Sequence, residues 1–338
     1  MLLISLALLA SAPVFEKVQA DNETTCIGPL GGTAADSWTE GGFSFKVAGG
    51  RAEVHAATAP GVARLGLLSA VKDFSPETRA NLETFVAAFR RAGVSAIVVD
   101  GDSAYGVDDQ DSTLTDLFSW LGEQGLPVYG IIGNSESRSS FNRALLAAFR
   151  KHPLVINLNL VRRVEGDGFT LVSLPGYYDP RYIHESAGCR YKQDDAMELS
   201  RIARGAPSPV VLVTHGPPKQ EGRLALDVTE DGHNVGDPDL AAAIAEAKIN
   251  FGVFGHILES GGRATDLEGK HAIKPGVVAA SLFINPGPAF ADPWALNGGG
   301  VSKGMAAILT LKNGKGEWQQ LKAGGGDPRA KLARSKSK

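Results

Sequence analysis

Short apolar strands alternate with helical segments between residues 63 and 152, and this alternation limits most strongly how the chain can fold. Residues 96–99 read A-I-V-V, a β-branched run without polar alternation, which is typical of a strand buried on both faces. The preceding helical segment begins at Ser75-Pro76-Glu77 and ends at Gly93. Strands joined by helices at this spacing predict a parallel sheet with right-handed crossovers and helices on its faces.

The second half of the chain makes the predicted sheet mixed. Residues 155–174 contain three strand-like runs without a helix between them, which predicts hairpins. Two further runs within residues 306–322 flank a turn sequence, N-G-K-G, that is typical of a closing hairpin. We therefore predict one mixed, largely parallel α/β domain over residues 61–322, preceded by an extension with edge strands over residues 21–60.

The composition is that of an ordinary globular protein. The 338 residues are 43% hydrophobic and 21% charged, with a formal net charge of -3, so a folded core is expected rather than disorder. The basic run lies in the last few residues, and residues 323–338 are predicted to be an unfolded tail. No nucleic-acid partner is therefore indicated.

The first twenty residues have the composition of an export signal. Residues 2–12 are an apolar block too short to span a bilayer, and small residues end the segment at Ala20. The segment has no Lys or Arg before the apolar block, so a wrongly assigned start or a buried strand remains an alternative. We predict an exported protein, periplasmic, envelope-associated or secreted, with no transmembrane helix in the mature chain.

The two cysteines, Cys26 and Cys189, are compatible with one disulfide in an oxidising compartment. A free thiol and a lipid attached to Cys26 are the alternatives. Cys189 lies in a loop, residues 176–192, that is longer and more aromatic than a plain connector. This loop either covers a binding site or packs on the surface.

Four predicted strands end in a glycine or threonine followed by a residue type that ligates metals. These strand ends are Gly101-Asp102, Gly133-Asn134, Thr214-His215 and Gly255-His256. Because the carboxyl ends of parallel strands lie along one edge of a sheet, the four polar side chains are expected to converge there. A carboxylate, an amide oxygen and two imidazoles suit one divalent transition metal such as Mn, Fe or Zn. A domain in which the four residues are plain polar groups and bind no metal is equally conceivable.

With these strand ends, the chain resembles the calcineurin-like metallophosphoesterases over residues 66–258. The motifs of that family are D-x-H, G-D, G-N-H followed by D or E, a lone H after a strand, and G-H-x-H. The N-P-G segment at residues 285–287 and the closing hairpin are also similar to the family. The resemblance implies a four-layer α/β/β/α sandwich and metal-dependent hydrolysis of phosphoric esters.

The departures from the family motifs affect one metal position more than the other. The family residues are replaced by Ala70, Lys72, Ser135 and Leu258. The resemblance assigns the second metal to a set that is complete in this chain, namely Asp102, Asn134, His215 and His256. For the first metal, the resemblance leaves a single ligand, the aspartate of G-D that both metals share. We therefore expect one metal at most.

Two residues near the altered motifs are candidates for a catalytic or binding role. Lys72 stands at a first-metal position, where its ammonium group can place a positive charge beside Asp102 instead of a metal; the alternative is a side chain in solvent. Glu136, next to Ser135, is a candidate acid if its surroundings raise its pKa.

Three functions are compatible with these motifs. The first is a binding or scaffold protein with low activity or none, whose ligand is a phosphate-containing small molecule or an envelope protein. The second is an active single-metal phosphoesterase that hydrolyses phosphomonoesters, phosphodiesters or nucleotides. The third is a metal-free α/β binding domain.

Overall fold

A computed structural model of the protein describes residues 12–324. The apolar block before residue 12 and the predicted tail from residue 325 lie outside the described residues. The helices and strands, in chain order, are α1 (Pro13–Asp21), β1 (Ala35–Glu40), β2 (Phe43–Ala48), β3 (Arg51–Ala56), β4 (Ala63–Ser69), α2 (Pro76–Ala92), β5 (Ala96–Asp100), α3 (Gln110–Gly122), β6 (Val128–Ile131), α4 (Arg138–Lys151), β7 (Val155–Asn157), β8 (Arg163–Gly166), β9 (Phe169–Ser173), α5 (Gln193–Met197), α6 (Leu199–Ala203), β10 (Val210–Val213), α7 (Pro238–Ala247), β11 (Phe251–Val253), β12 (Arg263–Thr265), β13 (Leu282–Asn285), β14 (Trp294–Ala295), β15 (Val301–Ser302), β16 (Met305–Lys312) and β17 (Lys315–Lys322).

Two large β-sheets pack face to face. One has nine strands in the order β1-β2-β3-β8-β9-β10-β11-β13-β12, and the other has six in the order β17-β16-β4-β5-β6-β7. Apolar side chains of both sheets, among them Leu67, Tyr129, Leu171 and Val253, form the buried core between them. Helices α2 to α4 cover the outer face of the six-stranded sheet, and α5 to α7 cover that of the nine-stranded sheet. The predicted α/β fold, with its four-layer sandwich, is confirmed.

The centre of each sheet is parallel, as the strand and helix alternation predicts. Strands β4 to β7 pair in parallel, and so do β9, β10, β11 and β13. The expectation of hairpins over residues 155–174 is only partly met. Strands β8 and β9 form one, whereas β7 pairs in parallel with β6, because residues 158–162 carry the chain from one sheet to the other.

Helix α2 begins and ends at the residues that the sequence indicates. The Ser75 side chain accepts a hydrogen bond of 3.2 Å from the backbone N–H of Thr78, which satisfies one of the free donors of the first turn. Gly93 ends the helix in the left-handed conformation, with φ of 68°. Its apolar face covers β4 and β5, and so helps to fix the strand ends that carry the site.

Residues 13–21 form helix α1, although the export prediction places most of them in a leader. The backbone N–H groups of Val14 and Phe15 donate to the carboxylate of Asp36 in β1, at 2.9 and 3.1 Å. The buried Phe15 ring lies 5.7 Å from the ring of Trp38 and 5.3 Å from that of Phe149, measured between centroids. Cleavage after residue 20 would remove a helix that packs in the core. No helix among residues 12–324 combines the length and the hydropathy required to cross a membrane.

We predict that Phe15→Ala lowers the free energy of unfolding by about 3–5 kcal/mol, the usual cost of removing a buried phenylalanine side chain. Urea denaturation of the purified protein measures this change. The control is Val14→Ala, since the neighbouring side chain is 42% exposed and its loss should change stability by at most about 0.5 kcal/mol. A change in the free energy of unfolding for Phe15→Ala as small as that for Val14→Ala would show that helix α1 is not part of the stable fold.

Candidate metal site at the strand ends

Four polar side chains follow directly on central strands of the two sheets. Asp102 and Asn134 come after β5 and β6, and His215 and His256 after β10 and β11. The glycine before the first of these ligands allows the close approach, because a Cβ atom on Gly101 would lie 2.4 Å from His215 Nδ1. The sheets therefore bring together residues that are far apart in the sequence.

The four side chains converge within metal-binding distance. One ligand atom from each of Asp102, His215 and His256 lies within 4.8 Å of the other two. His215 Nε2 is 3.2 Å from Asp102 Oδ1, and His256 Nδ1 is 2.8 Å from Asn134 Oδ1. Two imidazoles, a carboxylate and an amide oxygen are donors that Zn, Mn and Fe accept. The residues present therefore fit one divalent transition metal.

The charges in the cluster are strongly coupled. Burial alone would raise the pKa of Asp102, but the adjacent His215, with a smaller effect of His256, lowers it below the ordinary value. Burial opposes the charged form of His215, yet the Asp102 carboxylate raises the pKa of this histidine to about 9. Burial and the positive His215 lower the pKa of His256 to about 3. At neutral pH His256 is therefore a neutral imidazole, the form that ligates metals.

The backbone at this edge adopts conformations that side chains other than glycine rarely take. Within residues 12–324, six non-glycine residues have a positive φ, and four of them are Ala70, Lys72, Asp102 and His256. Each such residue costs about 1–3 kcal/mol and persists where the surrounding structure fixes it. Here the backbone N–H of Lys72 donates to the carbonyl of Asp102 at 2.9 Å. Such strain is characteristic of functional sites.

Apolar side chains occupy the positions where the resemblance places private ligands of a first metal. Ala70 and Leu258 form a buried cluster with Phe290. Carbon side chains offer no lone pair to a cation, so this cluster cannot ligate a metal. Phe290 was not predicted from the sequence, because it lies in an irregular turn after β13 and matches no motif.

The Lys72 amine is enclosed by aromatic rings. Its Nζ atom lies 5.1, 5.0 and 5.1 Å from the ring centroids of Tyr105, Phe290 and Trp294, which is the geometry of cation–π contacts. Burial lowers the pKa of Lys72, and the negative Asp102 only partly offsets this. Among residues 12–324 the amine has no carboxylate within salt-bridge distance. The sequence offers only the alternatives of an amine beside Asp102 or in solvent.

Glu136 is fully buried between two loops of the site. Its carboxylate accepts hydrogen bonds from the backbone N–H groups of Ser103 and Gly133, the second at 3.1 Å. Burial and the nearby Asp102 charge raise the pKa of Glu136 to about 7. Ser135 donates its backbone N–H to Asp102 Oδ1 at 3.2 Å. This geometry ties the Asp102 and Asn134 loops together, and the role of Glu136 as an acid stays a prediction.

The aromatic loop of residues 176–192 lies against the site. The Tyr177 ring is 4.1 Å from the His256 ring, measured between centroids, and the Asn134 amide donates to the Tyr182 carbonyl at 2.7 Å. A disulfide joins Cys189 of this loop to Cys26. The length and aromatic content of the loop were the only sequence signals for these contacts.

The same fold occurs in solved structures of other proteins. The crystal structure of TT1561 of Thermus thermophilus has a TM-score of 0.54 and 17% identity, over 76% of this chain and 98% of that chain. A dimetal phosphatase from Danio rerio has a TM-score of 0.50 and 14% identity, over 78% of this chain and 99% of that chain. The chain has the calcineurin-like metallophosphoesterase fold. No family model and no curated protein match the sequence of this metallophosphoesterase-fold protein.

Proposed function

We propose that this protein binds one divalent transition metal and uses it to hold a phosphate-containing ligand, with little or no hydrolysis. The supporting observation is the contrast between two adjacent positions. One has a complete donor set, namely Asp102, Asn134, His215 and His256. The other is filled by the apolar cluster of Ala70, Leu258 and Phe290. This contrast favours a site that has kept one metal position and lost the second.

The residues around the metal position are suited to binding an anion. A bound metal would act as a Lewis acid toward a phosphoryl oxygen. Asp102 supplies the negative charge of the donor set, and the neutral His256 a lone pair. Lys72 adds a positive charge close to the same loop, since its Nζ atom lies 5.1 Å from the ring centroid of Tyr105, three residues after Asp102. A phosphate-containing small molecule fits these charges best.

The groups near the metal position are less suited to protonating a leaving oxygen. The Ser135 hydroxyl replaces the imidazole of the family motif, and a hydroxyl is a weak acid at neutral pH. The Glu136 carboxylate already accepts two backbone hydrogen bonds and is fully buried. These features support slow turnover or none. The disulfide supports an oxidising compartment, which agrees with export and with an envelope protein as the alternative partner.

Metal analysis of the purified protein tests this proposal. We expect about one transition metal per chain in the wild type and none in His215→Ala, because removal of one buried imidazole leaves an incomplete donor set. The folded state of the variant is checked by circular dichroism. Wild-type protein without bound metal after incubation with Mn²⁺, Fe²⁺ and Zn²⁺ would refute the proposal and leave the metal-free binding domain.

The second candidate is an active single-metal phosphoesterase, which the complete donor set also supports. Assays with generic phosphomonoesters, phosphodiesters and nucleotides in the presence of Mn²⁺ separate the two. Turnover that requires metal and disappears in His256→Ala would establish the enzyme. Phosphate binding without such turnover would support the binding protein.

We predict that Lys72→Met weakens the binding of inorganic phosphate to the Mn²⁺-loaded protein by about tenfold, equivalent to about 1.4 kcal/mol. Methionine keeps an apolar stem between the Tyr105, Phe290 and Trp294 rings and removes only the charge. Isothermal titration calorimetry measures the change. Lys303→Met, at an exposed lysine, is the matched control, and identical affinities of the two variants would exclude Lys72 from anion binding.

A further inference from the structure

We propose that the disulfide-anchored loop of residues 176–192 positions Asn134 and His256 for the metal, so that reduction of the Cys26–Cys189 disulfide lowers metal affinity. We call this segment the roof loop. The inference rests on the proposed function, because it concerns the same metal position, and it adds a redox-dependent control of that position.

The roof loop fixes the orientation of the Asn134 amide. The Nδ2 atom donates to the Tyr182 carbonyl at 2.7 Å. Because only the NH₂ end of an amide can donate to a carbonyl, this bond directs Oδ1 toward His256, whose Nδ1 lies 2.8 Å away. The backbone N–H of His184 also donates to the Asn134 carbonyl at 3.0 Å. The loop therefore holds this residue by its side chain and its main chain.

The roof loop also limits the rotation of the His256 ring. The Tyr177 ring lies 4.1 Å from it and the Tyr182 ring 6.0 Å, measured between centroids. The backbone of His256 is in a left-handed conformation, with φ of 57°, which residues other than glycine uncommonly adopt. Packing from the loop therefore contributes to keeping a strained ligand in place. Outer contacts of this kind orient metal ligands and tune their affinity.

The disulfide connects the roof loop to a fixed part of the fold. Cys189 is fully buried, and its carbonyl accepts the backbone N–H of Tyr177 at 3.1 Å. Its sulfur is bonded to Cys26, 163 residues earlier in the chain. The segment before Cys26 is held by the Asn142 side chain of α4, which donates to the carbonyl of Thr25 at 2.9 Å. The disulfide thus joins the loop to helix α4 through the N-terminal extension.

Several roof-loop side chains face solvent, so packing alone holds this loop weakly and the disulfide contributes to keeping it in place. Tyr182 is 43% exposed, and residues 184–186 are exposed as well. A segment with few buried apolar contacts opens locally more easily than the strands beside it. Without its covalent anchor, the loop is expected to leave the position in which it contacts Asn134 and His256 more often.

The chemical step is reduction by an external dithiol. One thiolate of the reagent attacks the partly exposed Cys26 sulfur, and the Cys189 thiolate leaves. The second reagent thiolate then resolves the mixed disulfide and releases the Cys26 thiolate. Both protein thiolates take up protons. The protein gains two thiols, and the reagent becomes a cyclic disulfide.

Titration of the oxidised and the dithiol-reduced protein with Mn²⁺ tests the inference, with free Mn²⁺ followed by electron paramagnetic resonance. Mn²⁺ prefers oxygen and nitrogen ligands to thiolates, so the released thiols do not form a competing site. We expect the Kd for Mn²⁺ to rise about 10–100-fold on reduction and in Cys26→Ser/Cys189→Ser, as for other losses of outer contacts. Equal Kd values of the oxidised and reduced protein would overturn the inference.

Two further variants separate positioning from general loss of stability. Trp318→Ala destabilises the fold at the edge strand β17, which belongs to neither the roof loop nor the N-terminal extension, and should leave the Kd for Mn²⁺ unchanged; a rise equal to that caused by reduction would overturn the inference. Tyr177→Leu keeps the disulfide and removes the ring beside His256, so the Kd should rise about tenfold, whereas Tyr177→Phe should retain wild-type affinity. If the cysteine variant does not fold, these tyrosine variants still test whether the roof loop positions His256 for the metal. Oxidised wild-type protein that binds no Mn²⁺ would refute the proposed function itself, and this inference with it.

Discussion

Replacing Asp102 with alanine is expected to abolish metal binding, with a rise in Kd of at least about a thousandfold, or about 4 kcal/mol. The carboxylate is the only anionic donor among the four side chains that converge at the strand ends. It also organises its neighbours, because Oδ1 accepts backbone N–H groups from Asn134 and Ser135 at 3.3 and 3.2 Å. Titration with Mn²⁺ and metal analysis measure the effect.

The same substitution should also destabilise the metal-free protein. His215 is fully buried, and the neighbouring carboxylate raises its pKa to about 9, so in the metal-free protein the imidazole is cationic at neutral pH and must release this proton to ligate a metal. Removing one member of a buried ion pair typically costs about 3–5 kcal/mol. Asp108→Ala, at an exposed carboxylate of the same loop, is the control for both measurements. Unchanged Mn²⁺ binding by Asp102→Ala would place the metal elsewhere.

Restoring the family ligands should create a second metal position. In the triple variant Ala70→Asp, Lys72→His, Leu258→His, we expect metal content to rise from about one to about two per chain, since the three new donors join Asp102, as in the two-metal phosphoesterases. The backbone is already prepared, because residues 70 and 72 have φ values of 46° and 61°. Quantitative metal analysis after incubation with excess Mn²⁺ measures the change.

The metal-free form of this triple variant should be less stable than the wild type. Each polar group buried without a partner beside Phe290 costs about 1–3 kcal/mol, and binding of Mn²⁺ should recover part of this loss. Thermal unfolding with and without Mn²⁺ follows both effects. Addition of Asp102→Ala to the triple variant should remove both metals. A folded triple variant that still binds a single metal would contradict the assignment of the lost position.

The sequence predicted the fold and the converging strand ends because both depend on local patterns. The A-I-V-V run and the Ser75 and Gly93 helix signals are short-range features, and the structure follows them. Asp102 and His215 could be expected to meet because the topology of a parallel sheet brings strand ends together. These inferences required no knowledge of side-chain packing.

Other parts of the site depend on contacts that no local pattern contains. Phe290 reaches the site from an irregular turn, and Tyr182 contributes through a main-chain carbonyl, which any residue could supply. The sequence does not distinguish helix α1 from the end of an export signal, since an apolar segment before small residues fits both. Such features become visible only when the tertiary contacts are known.

The enclosure of Lys72 by three rings has a consequence for conditions in which metal is scarce. A chelator can remove a metal ion, but it cannot remove a charge that is covalently part of the chain. The amine is held 5.0 to 5.1 Å from the ring centres of Tyr105, Phe290 and Trp294 by groups that do not depend on the metal. If the site binds a metal as proposed, Lys72 is expected to keep a positive charge near the Asp102 loop when the metal is removed, so that the metal-free protein still attracts anions.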